Sequence, residues 1–284
     1  MSSIACIAPG VVVFTSGLWN TNSLVVQGIG EQAKAVVVVD PAWYPEEIAE
    51  IQSAASGNSL GRATHVLFTH GDYDHVVGWE SFPDAQLIAH PKARERDPVY
   101  TARRIEALDA ANGTSRPRPY RYPPREKFTS PRELDLGGEA MLFFEAPGHQ
   151  PDCLFTVLPR RRVLIAGDYL SDQEFPFIYF SLSEYRSTLR LTREIRREFA
   201  IEKLVPGHGK TAGSPDEIEY RIATDLDYLD RLDAAVEDAK AAGLGVEEAV
   251  RRLQHFTFRG RPIVALAKEH ADNVRFLYGY PVRE

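Results

Sequence analysis

Short apolar runs broken by turn residues fill the first part of the chain. Residues 11–14, 23–26 and 35–39 are rich in β-branched side chains and bounded by Gly, Pro or Asn, which predicts strands. The run at 35–39 is apolar at every position, as for a strand covered on both faces. Asp40 and Pro41 end it, and Pro45 with Glu46 and Glu47 opens a helix over 45–51. A further buried strand over 64–68 runs straight into a polar cluster. Residues 91–110 are patterned as helix. Residues 112–132, with Pro117, Pro119, Pro123, Pro124 and Pro131, are patterned as a long stiffened loop of the kind that often serves function. Strands return at 141–144, 154–158, 163–166 and 203–205, with a helix over 183–198 before the last.

After Gly213 the period changes. Ser214, Pro215, Asp216 and Glu217 form a capping box with proline at the first helical position. Ile218, Ile222, Leu226, Leu229, Leu232 and Val236 then recur every three or four residues, which is one apolar face of a long helix. Gly243 and Gly245 stop it, and helices follow near 246–254 and 262–278. The expected division is a mixed strand–helix body over 1–213 and a helical extension over 214–284. An apolar stripe must be buried, so the extension is expected to pack on the body, shape a pocket mouth and support a homodimer.

Composition narrows the class. At 284 residues with 44% hydrophobic and 26% charged side chains, the chain can bury a full core without staples. Two cysteines, Cys6 and Cys153, make no disulfide framework. No apolar run approaches the roughly 18 residues of a membrane span, and the start lacks the basic stretch of a signal peptide. A cytoplasmic protein without membrane partners is expected. The net charge of −7 argues against a nucleic-acid binder. Residues 91–132 nevertheless carry eleven Lys or Arg against five Asp or Glu, a basic segment suited to a small anion or simply solvated.

The chemistry lies at strand ends. His70, Asp72, Asp74 and His75 crowd within six residues directly after the strand at 64–68. A divalent metal resolves that crowding, because it takes neutral nitrogen and anionic oxygen together. His149, Asp168 and His208 each stand beside a glycine at the end of another apolar strand, and strand ends on one sheet edge are where a site assembles. Cys153 is a buried small hydrophobe on this pattern.

The order His70-x-Asp72-x-Asp74-His75, then His149, Asp168 and His208, resembles the metallo-β-lactamase superfamily, over roughly residues 9–213. The resemblance implies an α/β fold, an αββα four-layer sandwich of two mixed sheets, here followed by the C-terminal helical extension. It implies a hydrolase with two divalent metal ions, zinc first, with manganese or iron as alternatives. One ion would take His70, Asp72 and His149, the other Asp74, His75 and His208, with Asp168 bridging. Asp74 and Asp168 would serve catalysis by orienting a metal-activated water and moving its proton. Suitable small-molecule substrates are esters, thioesters, lactones or phosphoesters, including anionic ones. Asp72 departs from the family's usual histidine: it is shorter, adds a negative charge, and as a hard oxygen ligand shifts preference away from zinc. A flavodiiron-like redox protein without its flavin domain, and a non-catalytic binding protein on a degenerate site, are the competing readings.

Other residues are weighed against plainer roles. His65 is expected in the core or behind a ligand, His90 at a strand end, and His255 and His270 at the surface, with His270 able to reach the site mouth. Asp40 and Asp152 are candidates to orient a ligand imidazole; Asp152 is equally suited to cap a turn. The segment 175–180 has five apolar side chains in six residues, fitting a pocket wall or a core anchor. Trp43, Trp79, Tyr120 and Tyr122 add material for an amphipathic substrate.

Overall fold

A valine at every position from 36 to 39 needs cover on both sides, and the fold supplies it. The computed structural model describes residues 3–57 and 60–282. Seven strands in chain order form the first sheet: β1 (Ser3–Ala8), β2 (Val11–Thr15), β3 (Asn22–Gln27), β4 (Val36–Val39), β5 (His65–Leu67), β6 (Gln86–Ile88) and β7 (Phe128–Thr129). β1 to β4 run antiparallel, and β4 to β7 run parallel. The second sheet contains β8 (Glu133–Asp135), β9 (Ala140–Glu145), β10 (Leu154–Leu158), β11 (Val163–Gly167) and β12 (Lys203–Pro206) in the order β12-β11-β10-β9-β8. It is antiparallel except for the parallel pair β11 and β12.

The period-two alternation of strands sorts side chains into layers. Val37, Val39, Leu67 and Ile88 from the first sheet meet Met141, Leu158, Ile165 and Val205 from the second in a buried layer between the sheets. Val36, Val38 and Val66 face the other way, against Ile51 of α1 (Pro45–Ser56), Val76 of α2 (Tyr73–Val76) and Ile105 of α3 (Pro98–Asn112). Phe155, Leu164 and Leu204 on the outer face of the second sheet cover α4 (Leu182–Glu198), through Leu189 and Ile195. Helices therefore flank two mixed sheets, the αββα sandwich expected.

The C-terminal stripe joins the same outer layer. α5 (Pro215–Ala241) buries Ile218, Ile222, Leu229, Leu232 and Val236 in one cluster with that sheet face and α4. Ser214 Oγ accepts the Glu217 N–H at 3.2 Å, and Glu217 reaches back to the Gly213 N–H. α6 (Val246–Leu253) and the hairpin of β13 (Thr257–Phe258) and β14 (Arg261–Pro262) lead to α7 (Ala267–Leu277). The helical pattern near 262–278 therefore starts late, because the chain first turns back on itself at Gly260.

The expected helix over 91–110 also breaks. A short 3₁₀ turn over Pro91–Glu95 ends before Arg96, and α3 begins only at Pro98. Pro98 has no N–H to continue a helix, and Asp97 Oδ1 instead caps α3 by accepting the Val99 and Tyr100 N–H groups at 3.0 and 3.1 Å. Among the described residues no helix is long and apolar enough to cross a membrane.

Candidate metal centre

The parallel strands of both sheets end at one edge, and there the polar residues converge. Asp40 follows β4, and His70 to His75 follow β5 through the single turn of α2. His149 follows β9 in the connection to β10, Asp168 follows β11, and His208 follows β12. The Leu154 N–H donates to the Thr69 carbonyl at 2.7 Å, joining the site loop of one sheet to the other. At the close approach of the last two strand ends only glycine fits: a Cβ at Gly207 would lie 2.1 Å from Asp168 Oδ1.

Among the described residues the ligand atoms gather in three overlapping groups, one of them His70, His75 and Asp168. His70, Asp72 and His149 place theirs within 4.8 Å of one another, as do Asp74, His75 and His208. Asp168 lies between. Its Oδ2 is 3.5 Å from Nε2 of His70 and of His149, and its Oδ1 is 3.1 Å from His75 Nε2 and 3.5 Å from His208 Nε2. Asp72 Oδ2 is 3.2 Å from His70 Nε2 and Asp74 Oδ2 is 3.2 Å from His208 Nε2.

The imidazoles are all turned the same way. His75 Nδ1–H donates to Asp40 Oδ2 at 2.9 Å, and His149 Nδ1–H to the Phe177 carbonyl at 3.0 Å. His208 Nδ1–H points to the Trp19 carbonyl at 3.3 Å. Thr69 Oγ1 already donates to Asp40 Oδ2 at 2.5 Å, so it accepts from His70 Nδ1–H at 3.1 Å. Every Nε2 therefore points inward, the outer-partner arrangement that readies imidazole for a metal that displaces its Nε2 proton. Nε2 of His70, His75 and His149, with Oδ1 of Asp74 and of Asp168, is buried and has no hydrogen-bond partner. Buried polar atoms are rarely left so, and this donor set of nitrogen and carboxylate oxygen fits divalent ions.

Charge points the same way. Burial and the neighbouring His75 push the His70 imidazole down, but Asp168 and Asp72 outweigh them and raise it to about 9. His75 and His208 rise well above the usual histidine value against the same burial, drawn by Asp168 with Asp74 for the one and by Glu174 with Asp168 for the other. Burial alone would raise Asp168; the imidazoles of His75, His208 and His70 hold it well below the carboxylate range. The site demands positive charge.

All seven sequence-expected site residues, His70, Asp72, Asp74, His75, His149, Asp168 and His208, thus meet at one edge. Asp40 stands behind His75. Asp152 does not touch an imidazole: its Oδ2 accepts the Gly71 N–H at 3.0 Å, and it pairs with Arg96. His65 opens β5 and bonds Thr64 just before the strand, away from the site. His90 lies two residues past β6 and caps the 3₁₀ turn by accepting the Lys92 N–H. His255 is exposed. His270 is not a surface residue but 3% exposed, tied to the Tyr228 hydroxyl at 2.9 Å and the Leu253 carbonyl at 3.0 Å. It faces inward because α7 lies on α5 along that side. Cys153 is buried, and burial pushes its thiol up.

Two clefts open over the centre. One, of about 300 Å³, is walled by Trp19, Tyr73, Phe177 and Tyr179 above Asp74, Asp168 and His208. The other, of about 360 Å³, lies over Asp72 and is rimmed by Lys92, Arg96, Tyr100 and Phe180. Segment 175–180 does both things expected of it: Phe177, Tyr179 and Phe180 face the clefts, while Phe175 and Ile178 are core. Trp43 is fully buried, Tyr120 is buried, and the Trp79 indole donates to the Arg121 carbonyl, so these aromatics stitch the long loop instead. The extension reaches the mouth through Leu266, Lys268 and Glu269. Sequence reasoning missed Trp19, Arg96 and Glu174, whose carboxyl beside the first cleft is pushed up to about 7 by burial. It also missed Asn22, whose amide holds the His208 loop through the Pro206 and Gly209 carbonyls. No motif marks these positions; only the folded loops bring them to the edge.

Known proteins share the fold that carries this edge. Over 119 residues the chain is 29% identical to a "probable metallo-hydrolase" of Mycobacterium tuberculosis and to one of Mycobacterium bovis, covering 39% of this chain and 38% of each relative. The chain thus spans well under half of those relatives. Among solved structures, the sec-alkylsulfatase Pisa1 of Pseudomonas sp. superposes with a TM-score of 0.71 at 12% identity, over 98% of this chain and 50% of that one. A β-lactamase domain protein of Burkholderia ambifaria gives 0.63 at 17% identity, over 99% of this chain and 90% of that one. These likenesses are of fold. The sequence model of the metallo-β-lactamase superfamily matches residues 16–208, which takes in every residue of both ligand groups, and the chain belongs to that superfamily.

Proposed function

We propose that the protein is a binuclear metal-dependent hydrolase of small esters, thioesters, lactones or phosphoesters. The observation that supports this most is Asp168, a buried carboxylate with one oxygen toward each of two three-residue ligand groups. His70, Asp72 and His149 would hold one ion, and Asp74, His75 and His208 the other. Zinc suits the imidazoles, and manganese or iron the extra carboxylate oxygen of Asp72. When bound, such ions supply a Lewis acid and a water acidified towards neutrality.

The chain's own residues do the rest. Asp40, Thr69 and the Phe177 and Trp19 carbonyls keep the imidazoles in register. Asp74, whose Oδ1 has no other partner, is placed to accept a proton from the attacking water and pass it on. Trp19, Tyr73, Phe177 and Tyr179 offer flat apolar faces to a substrate body and exclude water from it. Lys92 and Lys268 at the rims favour an anionic group on the substrate.

Elemental analysis of purified protein, with hydrolysis of a panel of p-nitrophenyl esters, thioesters, lactones and phosphodiesters, tests the reading. Close to two ions per chain and metal-dependent turnover of at least one class are expected. A protein that takes up no metal, or turns over no substrate when loaded, would overturn it.

A further inference from the structure

Asp72 stands where the resemblance leads one to expect histidine, and the fold gives it a partner that a histidine would not need. Arg96 comes from the break between the 3₁₀ turn and α3 and turns inward, its side chain 18% exposed. Its guanidinium grips Asp152 with two bonds, Nε to Oδ2 at 2.9 Å and Nη2 to Oδ1 at 2.5 Å. Nη1 then donates to Asp72 Oδ1 at 2.5 Å. The other oxygen, Asp72 Oδ2, faces His70 and His149 at 3.2 and 3.6 Å. Gln150 Nε2 supports the same carboxylate, 3.0 Å from Oδ2.

The surroundings are built for this arginine. Asp152 is fully buried and its Oδ2 also accepts the Gly71 N–H, so the fork is anchored to the backbone between two ligand residues. Gly71 makes room: a Cβ there would lie 2.9 Å from Arg96 Cγ and 2.8 Å from Asp152 Oδ2. From the far side, Arg125 donates to the Arg96 carbonyl, and the Tyr122 hydroxyl donates to the Ala93 carbonyl at 3.3 Å. The proline-stiffened loop thus clamps the turn that carries Arg96.

We propose that Arg96 is a positioning residue that makes aspartate workable at the first metal position. A lone carboxylate there has two equivalent oxygens, a short reach and a full charge. Binding one oxygen to a fixed guanidinium leaves the other aimed at the ion, and draws charge away from it, so the pair presents one oriented donor as an imidazole would. The inference rests on the binuclear reading.

The test is a cycle of four full-length proteins: wild type, Arg96→Met, Asp72→His, and the double variant. Each is loaded with zinc and titrated against a chromophoric chelator, with thermal melting alongside. Loss of such an outer partner typically weakens metal by about 10–100-fold. We expect Arg96→Met to weaken one of the two ions by at least about 10-fold while leaving the other unchanged. In the Asp72→His background the same change should cost less than about 3-fold, because imidazole needs no second tether. A merely structural role would weaken both ions or cost the same in both backgrounds, and either result overturns the inference, as does no effect in either. Arg96→Lys, which keeps the charge but not the fork, should weaken the same ion as Arg96→Met. Wild-type protein that never takes up a second ion would sink the binuclear reading itself; two ions with Arg96→Met unchanged would sink the inference alone.

Discussion

Replacing Asp40 by asparagine should disable one ligand without moving it. Asp40 is 1% exposed and sits at φ +46°, a left-handed conformation that asparagine tolerates, so the backbone has no reason to shift. Its Oδ1 accepts the Thr69 N–H at 2.8 Å, while Oδ2 accepts the Thr69 hydroxyl at 2.5 Å and His75 Nδ1–H at 2.9 Å. A backbone N–H cannot turn away, so the asparagine carbonyl must take the Oδ1 place and its amide the Oδ2 place. The Thr69 hydroxyl can rotate to accept. The imidazole cannot: to meet an amide donor, His75 must move its proton from Nδ1 to Nε2, the atom that faces Asp74 and Asp168. A protonated Nε2 binds no metal. Restoring the ligating tautomer costs one hydrogen bond to a charged group, about 1.5–3 kcal/mol, or roughly 10–100-fold in affinity. Competitive zinc titration should therefore show one ion weakened by that factor and the ion at His70, Asp72 and His149 unchanged within about 3-fold. Nitrogen NMR of the metal-free protein, at a pH high enough to leave the His75 imidazole neutral, should show the tautomer switch. Two ions bound as tightly as in wild type would refute the reasoning.

Three further outcomes are expected. Gly71→Ala overfills the space between Asp152 and Arg96 and should cost about 1–3 kcal/mol of stability by chemical denaturation; a wild-type midpoint would show that the loop gives way freely. Asp225 of α5 is fully buried with one oxygen unpartnered, and burial raises it to about 8, against Arg259 and Arg221. Its folded value lies above its ordinary one, so stability is full below about pH 4 and falls towards pH 8 by up to about 1.4 kcal/mol per pH unit. Asp225→Asn should therefore raise the melting temperature more at pH 8 than at pH 5, and an equal difference at both would refute it. A chain ending at residue 213 strips Ile218, Ile222, Leu229, Leu232 and Val236 from the cluster they share with the second sheet and α4, and removes Leu266, Lys268 and Glu269 from the cleft mouth; it should aggregate, and a monodisperse product of full activity would be the contrary result.

The sequence was most informative where side-chain pattern and chemistry coincide. Four valines in a row state that both faces of β4 are covered, and ligand-type residues beside glycine at strand ends state that those ends meet. Weaker patterns were silent. β1 carries exposed Ile4 and Cys6 on a sheet edge, so no alternation betrays it, and β7 and β13 are two-residue strands defined by their partners alone. His270 shows the opposite failure: a polar residue on a helix looks like surface until a second helix supplies the tyrosine hydroxyl and carbonyl that satisfy it. Trp43 and Trp79 looked like substrate contacts because aromatic residues near a site fit that role, but the loop over 112–132 had to be held down by something.

The basic segment shows how a local pattern takes its meaning from the fold. As composition, a cluster of cations on an acidic body suggests attraction of an anion from solvent. In the fold, several of these charges are spent inside the protein. Arg116 pairs with Asp109, and Arg94 and Arg125 tie backbone carbonyls of the loop and turn. Arg104 lies over the Tyr73 ring at the cleft, and Arg96 holds Asp72. A third carboxylate among the clustered residues at the edge leaves an oxygen that must be oriented and a charge that must be shared, and the nearest chain able to do both is this segment. The aspartate at 72 and the arginine at 96 are therefore one feature seen at two places in the sequence. A break in a helix, dictated by Asp97 and Pro98, is what allows the second to reach the first.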